Sequence, residues 1–301
     1  MDRIEHLAIF VRVVESEGFT RAASLMQLPR SSVSSAVKAL EARVGARLLY
    51  RTTRRVSLTH EGQAFYERCV RLLADYEEAE ALFRQGASQP RGRVRANVPG
   101  RMGRLLFAPA LPDFLARYPD IEVELGSTDR AVDLVQEGVD CAVRVGPLSD
   151  SSLIARRVGD LRLINCASPA YVRAHGAPQS VEDLGRHYAV NYASPSTGRI
   201  EDWEYVERGE ARFAPMRARV TVNSAEAYIA CSLAGLGLIQ IPAYDVRHHV
   251  EAAELLDLAP GLRAAPMPLT ILYPHRQHLS HRVQVFVDWA EALLREKALA
   301  A

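Results

Sequence analysis

The sequence predicts a multidomain α/β protein: an N-terminal winged helix-turn-helix, a long linker helix and a C-terminal α/β region. Three observations carry that expectation. The stretch from Leu28 to Gly62 reads as a two-faced helix followed by a basic hairpin, the run from 61 to about 86 places apolar residues at heptad spacing, and from Arg93 onward strand-like and helix-like segments alternate.

In the first part, Ile4, Leu7, Ala8, Val11 and Val14 form a helical apolar stripe. Thr20 then stands as the N-cap of a short helix from Arg21 to Met26. The next helix starts near Pro29, where a missing N–H costs nothing. Its residues Val33, Val37, Leu40 and Val44 recur at spacings of four, three and four and so share one apolar face. Ser31, Ser34, Ser35 and Lys38 fall on the opposite face, beside Ser32. Short hydroxyl side chains let a helix approach another surface closely, which suits a helix in the major groove of DNA. An ordinary solvent-exposed face fits that helix equally well when it is taken alone.

The flanking residues favour the groove-reading alternative. Leu48, Val56 and Leu58 alternate around Tyr50-Arg51-Thr52-Thr53-Arg54-Arg55, as in a two-stranded wing with a cationic tip. Guanidinium groups at such a tip can pair with phosphates or enter a minor groove. Charge agrees. The formal net charge of the whole chain is only +1, yet residues 1–60 carry 10 Lys+Arg against 5 Asp+Glu. Residues 61–89 carry 3 against 6, and the remainder is close to neutral. Positive charge concentrated on a small module is the electrostatic footprint of a DNA-binding head.

These residues resemble the LysR-type transcriptional regulators. The resemblance is carried by Phe10-Val11, Val13-Val14-Glu15, Gly18-Phe19-Thr20-Arg21-Ala22-Ala23, Val33-Ser34, Leu40-Glu41, Gly45-Ala46-Arg47-Leu48-Leu49 and the run from Arg51 to Gly62. With the helix face and the basic wing, the candidate DNA contacts are Thr20, Arg21, Pro29, Arg30, Ser31, Ser32, Ser34, Ser35, Lys38, Arg51, Thr52, Thr53, Arg54 and Arg55. Pro29-Arg30 departs from the serine and glutamine that many members carry at the start of the recognition helix, so the base preference is this chain's own.

From 61 to about 86 no proline occurs, and Phe65, Cys69, Leu72, Tyr76, Ala79 and Phe83 step by four, three, four, three and four. That is a heptad seam, for which a partner helix from a second copy is the economical explanation; packing on the chain's own C-terminal domain is the alternative. In the family this helix pairs two subunits, so the resemblance implies a homodimer reading two half-sites, and a homotetramer through the effector domains.

Ser88-Gln89-Pro90-Arg91-Gly92 breaks the helix and marks a boundary. Expected domains are therefore 1–60, 61–89 and 90–301. Strands are expected over Arg93–Val98, Ile121–Gly126, Cys141–Gly146, Leu161–Ala167, Tyr188–Tyr192, Val220–Asn223, Leu236–Pro242 and Leu269–Tyr273. Helices are expected over Gly103–Tyr118, interrupted by prolines, and over Ala131–Gly138, Pro169–Ala174, Ala225–Ala234 and Ser280–Lys297. The alternation argues for largely parallel sheets. Here Leu115-Ala116-Arg117-Tyr118-Pro119, Gly138-Val139-Asp140, Val143-Arg144-Val145-Gly146, Cys166-Ala167-Ser168-Pro169-Ala170-Tyr171 and Ala234-Gly235-Leu236-Gly237 resemble the family's effector domain. The implied fold is two lobes like those of periplasmic binding proteins (type II), one from 90–162 plus 266–301 and the other from 163–265, with a small organic effector between them.

In open α/β folds ligands lie beyond the carboxyl ends of strands, where helix N-termini present free N–H groups. The candidate effector contacts are Asn97, Pro99, Gly100, Arg101, Met102, Val145, Gly146, Asn191, Tyr192, Asn223, Ser224, Ile241 and Pro242. A simple cap or turn is the competing role for each polar one. Control by the effector is expected to be allosteric, with activation and repression both compatible.

Enzyme signatures are missing: no GxSxG, HExxH, GxxxxGK[ST] or strand-borne GxGxxG occurs. His248-His249 are adjacent and cannot share a helical face as metal ligands at i and i+4 do, and the acidic residues of 61–80 suit a solvated face. No metal and no cofactor beyond the effector is expected. Cys69, Cys141, Cys166 and Cys231 lie among apolar neighbours without metal spacing, which reads as buried free thiols. A cytoplasmic, nucleoid-associated protein is expected, because no signal peptide pattern and no run of about 18 apolar residues occurs. A transporter's solute-binding protein is the rival binder, disfavoured by the DNA-reading module.

Overall fold

The computed structural model describes residues 2–51, 56–81, 89–130, 132–148, 153–195, 197–274 and 279–300. The chain divides into two compact units, Met1–Ser88 and Gln89–Ala301.

The first unit opens with α1 (Arg3–Glu15), whose start is fixed by a capping box: the Asp2 carboxylate accepts from Glu5 N at 2.7 Å and the Glu5 carboxylate accepts from Asp2 N at 2.7 Å. Its deepest residues are Ile9, Phe10 and Val13, while Leu7 and Val14 are only partly buried, because the helix is packed on more than one side. α2 spans Phe19–Leu25 with Gly18 as N-cap. Thr20 is therefore inside the helix, and the expected cap at Thr20 is corrected: Gly18 already takes the extended conformation a cap requires. α3 (Arg30–Val44) begins directly after Pro29 and stops at Gly45, whose left-handed φ of 73° ends the helix. Val33, Val37 and Leu40 are buried as the spacing requires, but Val44, in the last turn, is exposed. β1 (Leu49–Arg51) and β2 (Val56–Leu58) pair antiparallel with Leu49 opposite Leu58. α4 (His60–Ala81) follows.

The second unit holds a five-stranded sheet in the order β4 (Ile121–Ser127), β3 (Gly92–Val98), β5 (Cys141–Val145), β14 (Met267–Pro274), β6 (Leu153–Leu161). β3 is parallel to both β4 and β5, but β14 runs antiparallel to β5 and β6, so the sheet is mixed and the expectation of largely parallel sheets is corrected. The chain that returns from the second lobe enters this sheet in the opposite sense. Beyond β3 the helical segments α5 (Gly100–Met102), a π-helical turn over Gly103–Phe107, and α6 (Ala108–Arg117) run on without a break, with Pro112 inside α6. Phe107 and Phe114 meet Phe286 and Trp289 of α11 (His281–Leu294) to form the main core. Residues 134–138 form a turn where a helix was expected, because the Asp133 carboxylate takes the Val135 and Gln136 amides at 3.0 Å each.

Between residues 163 and 258 a second layer forms. β7 (Leu163–Ala167) lies between β12 (Ile239–Pro242) and β13 (Leu256–Leu258), antiparallel to both. β8 (Tyr188–Tyr192) pairs in parallel with β11 (Arg217–Val222), and a parallel bridge joins Ala189 to Leu238. α7 (Pro169–His175), α8 (Val181–Leu184), α9 (Ala225–Leu233) and α10 (Ala243–Glu251) complete it, with a hairpin of β9 (Trp203–Glu207) and β10 (Glu210–Ala214).

Candidate nucleic-acid interface and ligand cleft

The first unit assembles its polar face from α2 and α3. Thr20 and Arg21 of α2 and Pro29, Arg30, Ser31, Ser35 and Lys38 on and before α3 are exposed; Ser32 and Ser34 are half-buried. Among the described residues the side chains of Arg21, Arg30 and Lys38 meet no carboxylate. Behind α3, the Glu41 carboxylate accepts from the amides of Leu48 (3.0 Å) and Leu49 (3.2 Å), fixing the base of the wing to the helix. Thr59 then locks the wing to α4: its hydroxyl donates to Arg47 O at 2.7 Å and accepts from Gly62 N at 2.9 Å. Gly62 is needed for this approach, since a Cβ there would lie 1.9 Å from Leu48 O. Only the backbone of Arg51 is described, and Thr52, Thr53, Arg54 and Arg55 lie outside the described residues.

The heptad seam divides. Cys69 is buried in the head's own core and Phe65 packs beside it, its ring 5.7 Å from that of Phe10, so both contribute to the head's packing. Farther along, Leu72 is 58% and Tyr76 43% exposed. Ala79 lies in α4 but its side chain, like the whole of Phe83, is outside the described residues.

In the second unit, the strand ends converge where Asn97, Gly100, Asp129, Arg144 and Tyr192 lie. Asn97 is buried and accepts from Arg144 Nη1 at 3.0 Å. Arg144 Nη2 is buried without an acceptor among the described residues, and burial pulls this guanidinium's pKa down while the Asp129 charge opposes that shift. Gly100 N–H, the start of the long helix, donates to Asp129 Oδ1 at 3.0 Å. Burial pushes the Tyr192 hydroxyl up, reinforced by the negative charges of Asp129, Glu201 and Asp245; its ring lies 5.3 Å from that of Tyr228. Pro99, Val145, Asn191 and Pro242 are half-buried at the same strand ends, Gly146 N donates to Pro268 O at 2.9 Å, and Asn223 is exposed.

Four expected ligand contacts are otherwise engaged. Arg101 is buried and its guanidinium is taken by Asp245 of α10 (Nε to Oδ1, 3.3 Å), the Asp245 carbonyl, and Glu226 of α9 (Nη1 to Oε2, 2.8 Å). Met102 is fully buried in the main core, and Ile241 in the second-lobe core. The Ser224 hydroxyl caps α9 by accepting from Ala227 N at 3.3 Å. Asp129, Glu226 and Asp245, which hold the Gly100 amide and the Arg101 guanidinium, lie outside the strand ends and carry no local signal in the sequence. Asp245 meets Arg101 across 144 positions of sequence, and only the fold brings them together.

The four thiols are free, with Cys69, Cys141 and Cys166 buried and Cys231 half-buried. Among the described residues no group of acidic, histidine or cysteine side chains could hold a metal ion, and no helix is long and apolar enough to cross a membrane.

A winged helix-turn-helix whose exposed cations meet no carboxylate among the described residues, followed by a two-lobed α/β unit, defines a DNA-binding transcriptional regulator of the two-domain type. Comparison with known proteins gives its family. Residues 4–63 match the bacterial regulatory helix-turn-helix protein, lysR family, and residues 87–295 match the LysR substrate binding domain. The chain is 40% identical over 296 residues to the uncharacterized HTH-type transcriptional regulator YhjC of Escherichia coli, covering 98% of this chain and 99% of that one. It is 37% identical over 297 residues to an HTH-type transcriptional repressor of Pseudomonas aeruginosa, covering 98% and 93%. The solved structure of CrgA, a LysR-type transcriptional regulator from Neisseria meningitidis, matches with a TM-score of 0.61 at 32% identity, covering 97% of this chain and 98% of that one. The chain belongs to the LysR family of transcriptional regulators. Its relatives are regulators, not enzymes.

Proposed function

We propose that the chain reads promoter DNA sequence-specifically as a homodimer and that a small organic effector bound between the two lobes controls its occupancy of, or geometry on, the promoter. The observation that carries the DNA half is the exposed face of Arg30, Ser31, Ser35 and Lys38, flanked by Thr20 and Arg21, whose cations have no carboxylate partner among the described residues. A surface of that kind is left for phosphates and base edges. Leu72 and Tyr76 support pairing through α4, since a 22-residue helix that keeps large apolar side chains in water gains by burying them against a copy of itself. Dimerisation places two recognition helices on two half-sites; a homotetramer through the second unit is the further family expectation.

For the effector, the favoured place is the strand-end cluster of Asn97, Gly100, Asp129, Arg144 and Tyr192, because Arg144 Nη2 has a donor to offer and Asp129 already sits on the helix start that an acceptor group would use. Arg101 does not belong to it.

The test is retention of footprinted promoter fragments over a salt series. A head that neutralises 6–10 phosphates loses about 10³- to 10⁵-fold in affinity between 50 and 200 mM salt. No retention at low salt would overturn the DNA reading. Metabolites of the genes beside the footprinted sites, titrated by calorimetry into wild type and Arg144→Ala, test the cleft: equal affinity for both proteins removes Arg144 from it.

A further inference from the structure

α10 belongs to the second lobe by sequence, yet Tyr244 in its first turn is built into the first. Tyr244 packs in the main core with Val94, Phe107 and Phe286, whereas Val246, two residues on, packs with Ile164 and Ile239. Asp245 lies between the two cores, and Arg101 reaches it from the helix start of the first lobe. The side chains of Arg101 and Asp245 are only 3% and 5% exposed. Glu226, which also binds Arg101, is about half exposed and shares its other oxygen with Arg104 Nε at 3.0 Å.

Charge is crowded at this seam. Arg101 meets Asp245 and Glu226, Arg104 meets Glu226, and Asp129, which also faces Arg144, acts on Asp245 through space. Water reaches Glu226, and Asp129 accepts from the Gly100 amide at 3.0 Å. Asp245 has neither advantage. A carboxylate that is both buried and repelled by Asp129 relieves both problems by taking up a proton, and Arg101 still keeps Glu226 and the Asp245 carbonyl as acceptors.

We propose that Asp245 is a proton-coupled latch between the lobes: the seam over Arg101 shuts with uptake of one proton by Asp245, so acidification holds the lobes together and alkalinisation frees them. Burial pushes the Asp245 carboxyl up to about 7, against the opposing pull of Arg101 and of the Tyr244 hydroxyl, and Asp129 raises it further. With the seam parted, the carboxyl meets water and returns to the ordinary aspartate value of about 3.9. The shut form therefore binds the proton more tightly and is favoured as pH falls through 7; its advantage is lost as pH rises. Between pH 8 and pH 6 the ratio of shut to open increases about tenfold. The other titratable groups facing this point are Tyr192 and Tyr244, both raised by burial away from this range, and His248, which is lowered by burial and by His249, Arg101 and Arg104. His249 is bound to Glu254 at 2.6 Å.

Hydrogen exchange read by mass spectrometry on the full-length protein, without DNA or effector and corrected for intrinsic rates, tests the latch. Peptides covering Ala243–Glu251 and the helix start at Gly100 are expected to be about tenfold better protected at pH 6 than at pH 8. Asp245→Asn, which mimics the protonated side chain, should abolish the dependence and hold the protection of pH 6, while the double variant His248→Gln/His249→Gln should keep it. A flat wild-type profile overturns the proposal, as does a dependence that survives in Asp245→Asn. If Asp245→Asn does not fold, the wild type and the double histidine variant decide: loss of the dependence on removing the histidines assigns the proton to them and not to Asp245.

Discussion

Replacing Gly62 by Ala should unfasten the wing from the linker helix. A Cβ at this position lies 1.9 Å from Leu48 O and 2.8 Å from Leu48 C, well inside the 3.0 Å that Cβ atoms respect. The obstacle is backbone, and Leu48 is fully buried in the head's core, so it cannot swing aside as a side chain would. In a free helix the exchange of glycine for alanine gains about 1 kcal/mol. Here that gain is opposed by overpacking of about 1 to 3 kcal/mol. Pushing Leu48 away also strains the Thr59 N to Leu48 O bond (3.0 Å) and the Thr59 hydroxyl bond to Arg47 O, worth about 1 kcal/mol each. The net expectation is a loss of about 2 kcal/mol, roughly a thirtyfold change in the folded to unfolded ratio of the head. Calorimetric melting of the full-length protein reads the stability, and retention of a footprinted promoter fragment reads the placement of the wing. Gln63→Ala, at an exposed neighbouring position, serves as the control for helix propensity. A Gly62→Ala protein that melts at or above wild type and holds DNA equally well would refute the reasoning, because the close approach would then carry no energy.

Other predictions follow from the same geometry. Arg101→Ala leaves the Asp245 carboxylate buried without its partner and should cost up to about 3 to 5 kcal/mol in urea unfolding at pH 8, shrinking toward pH 6 as Asp245 takes up a proton; a neutral result at pH 8 would place the pair in water. Arg30→Ala should cost about 1 to 3 kcal/mol of DNA affinity at one base position if it reads a guanine edge, whereas Lys38→Ala should weaken all sequences alike and lower the salt slope by about one; panels of singly substituted operators separate the two. Leu72→Glu with Tyr76→Glu should shift the sedimentation coefficient toward that of the monomer, and an unchanged coefficient would remove α4 from the interface. Burial pushes the Cys69 and Cys166 thiols up to about 12 and Cys141 higher still, so at pH 8 iodoacetamide should label the folded protein at Cys231 alone.

The head was legible in the sequence because its contacts are local. Val33, Val37 and Leu40 announce their face by spacing, and Gly45 ends the helix where a left-handed residue is needed. The second unit was legible where strands are apolar throughout, as in Leu163–Ala167, and obscure where they are not. The hairpin of Trp203–Glu207 and Glu210–Ala214 alternates polar and apolar residues weakly, and its turn is made by Arg208 and Gly209, both at positive φ, without the usual asparagine. Leu153–Leu161 hides a strand behind Arg156 and Arg157, whose guanidinium groups are drawn off by Asp288, Glu291 and Asp160. Arg101 looked like a ligand contact because a cation at a strand end generally is one. Its true partners arrive from α9 and α10, and no pattern near residue 101 foretells them.

Glu41 has a consequence of its own. One carboxylate on the inner side of the recognition helix holds the first two amides of the wing, so helix and wing move as a single pair of calipers with a fixed gap. If α3 and the wing contact DNA as proposed, such a tool measures as well as reads, because the spacing between helix and wing base is set by protein and not by DNA. An operator whose groove width mismatches that gap must itself deform to be bound, and flexible base steps that no side chain touches become part of what the protein recognises.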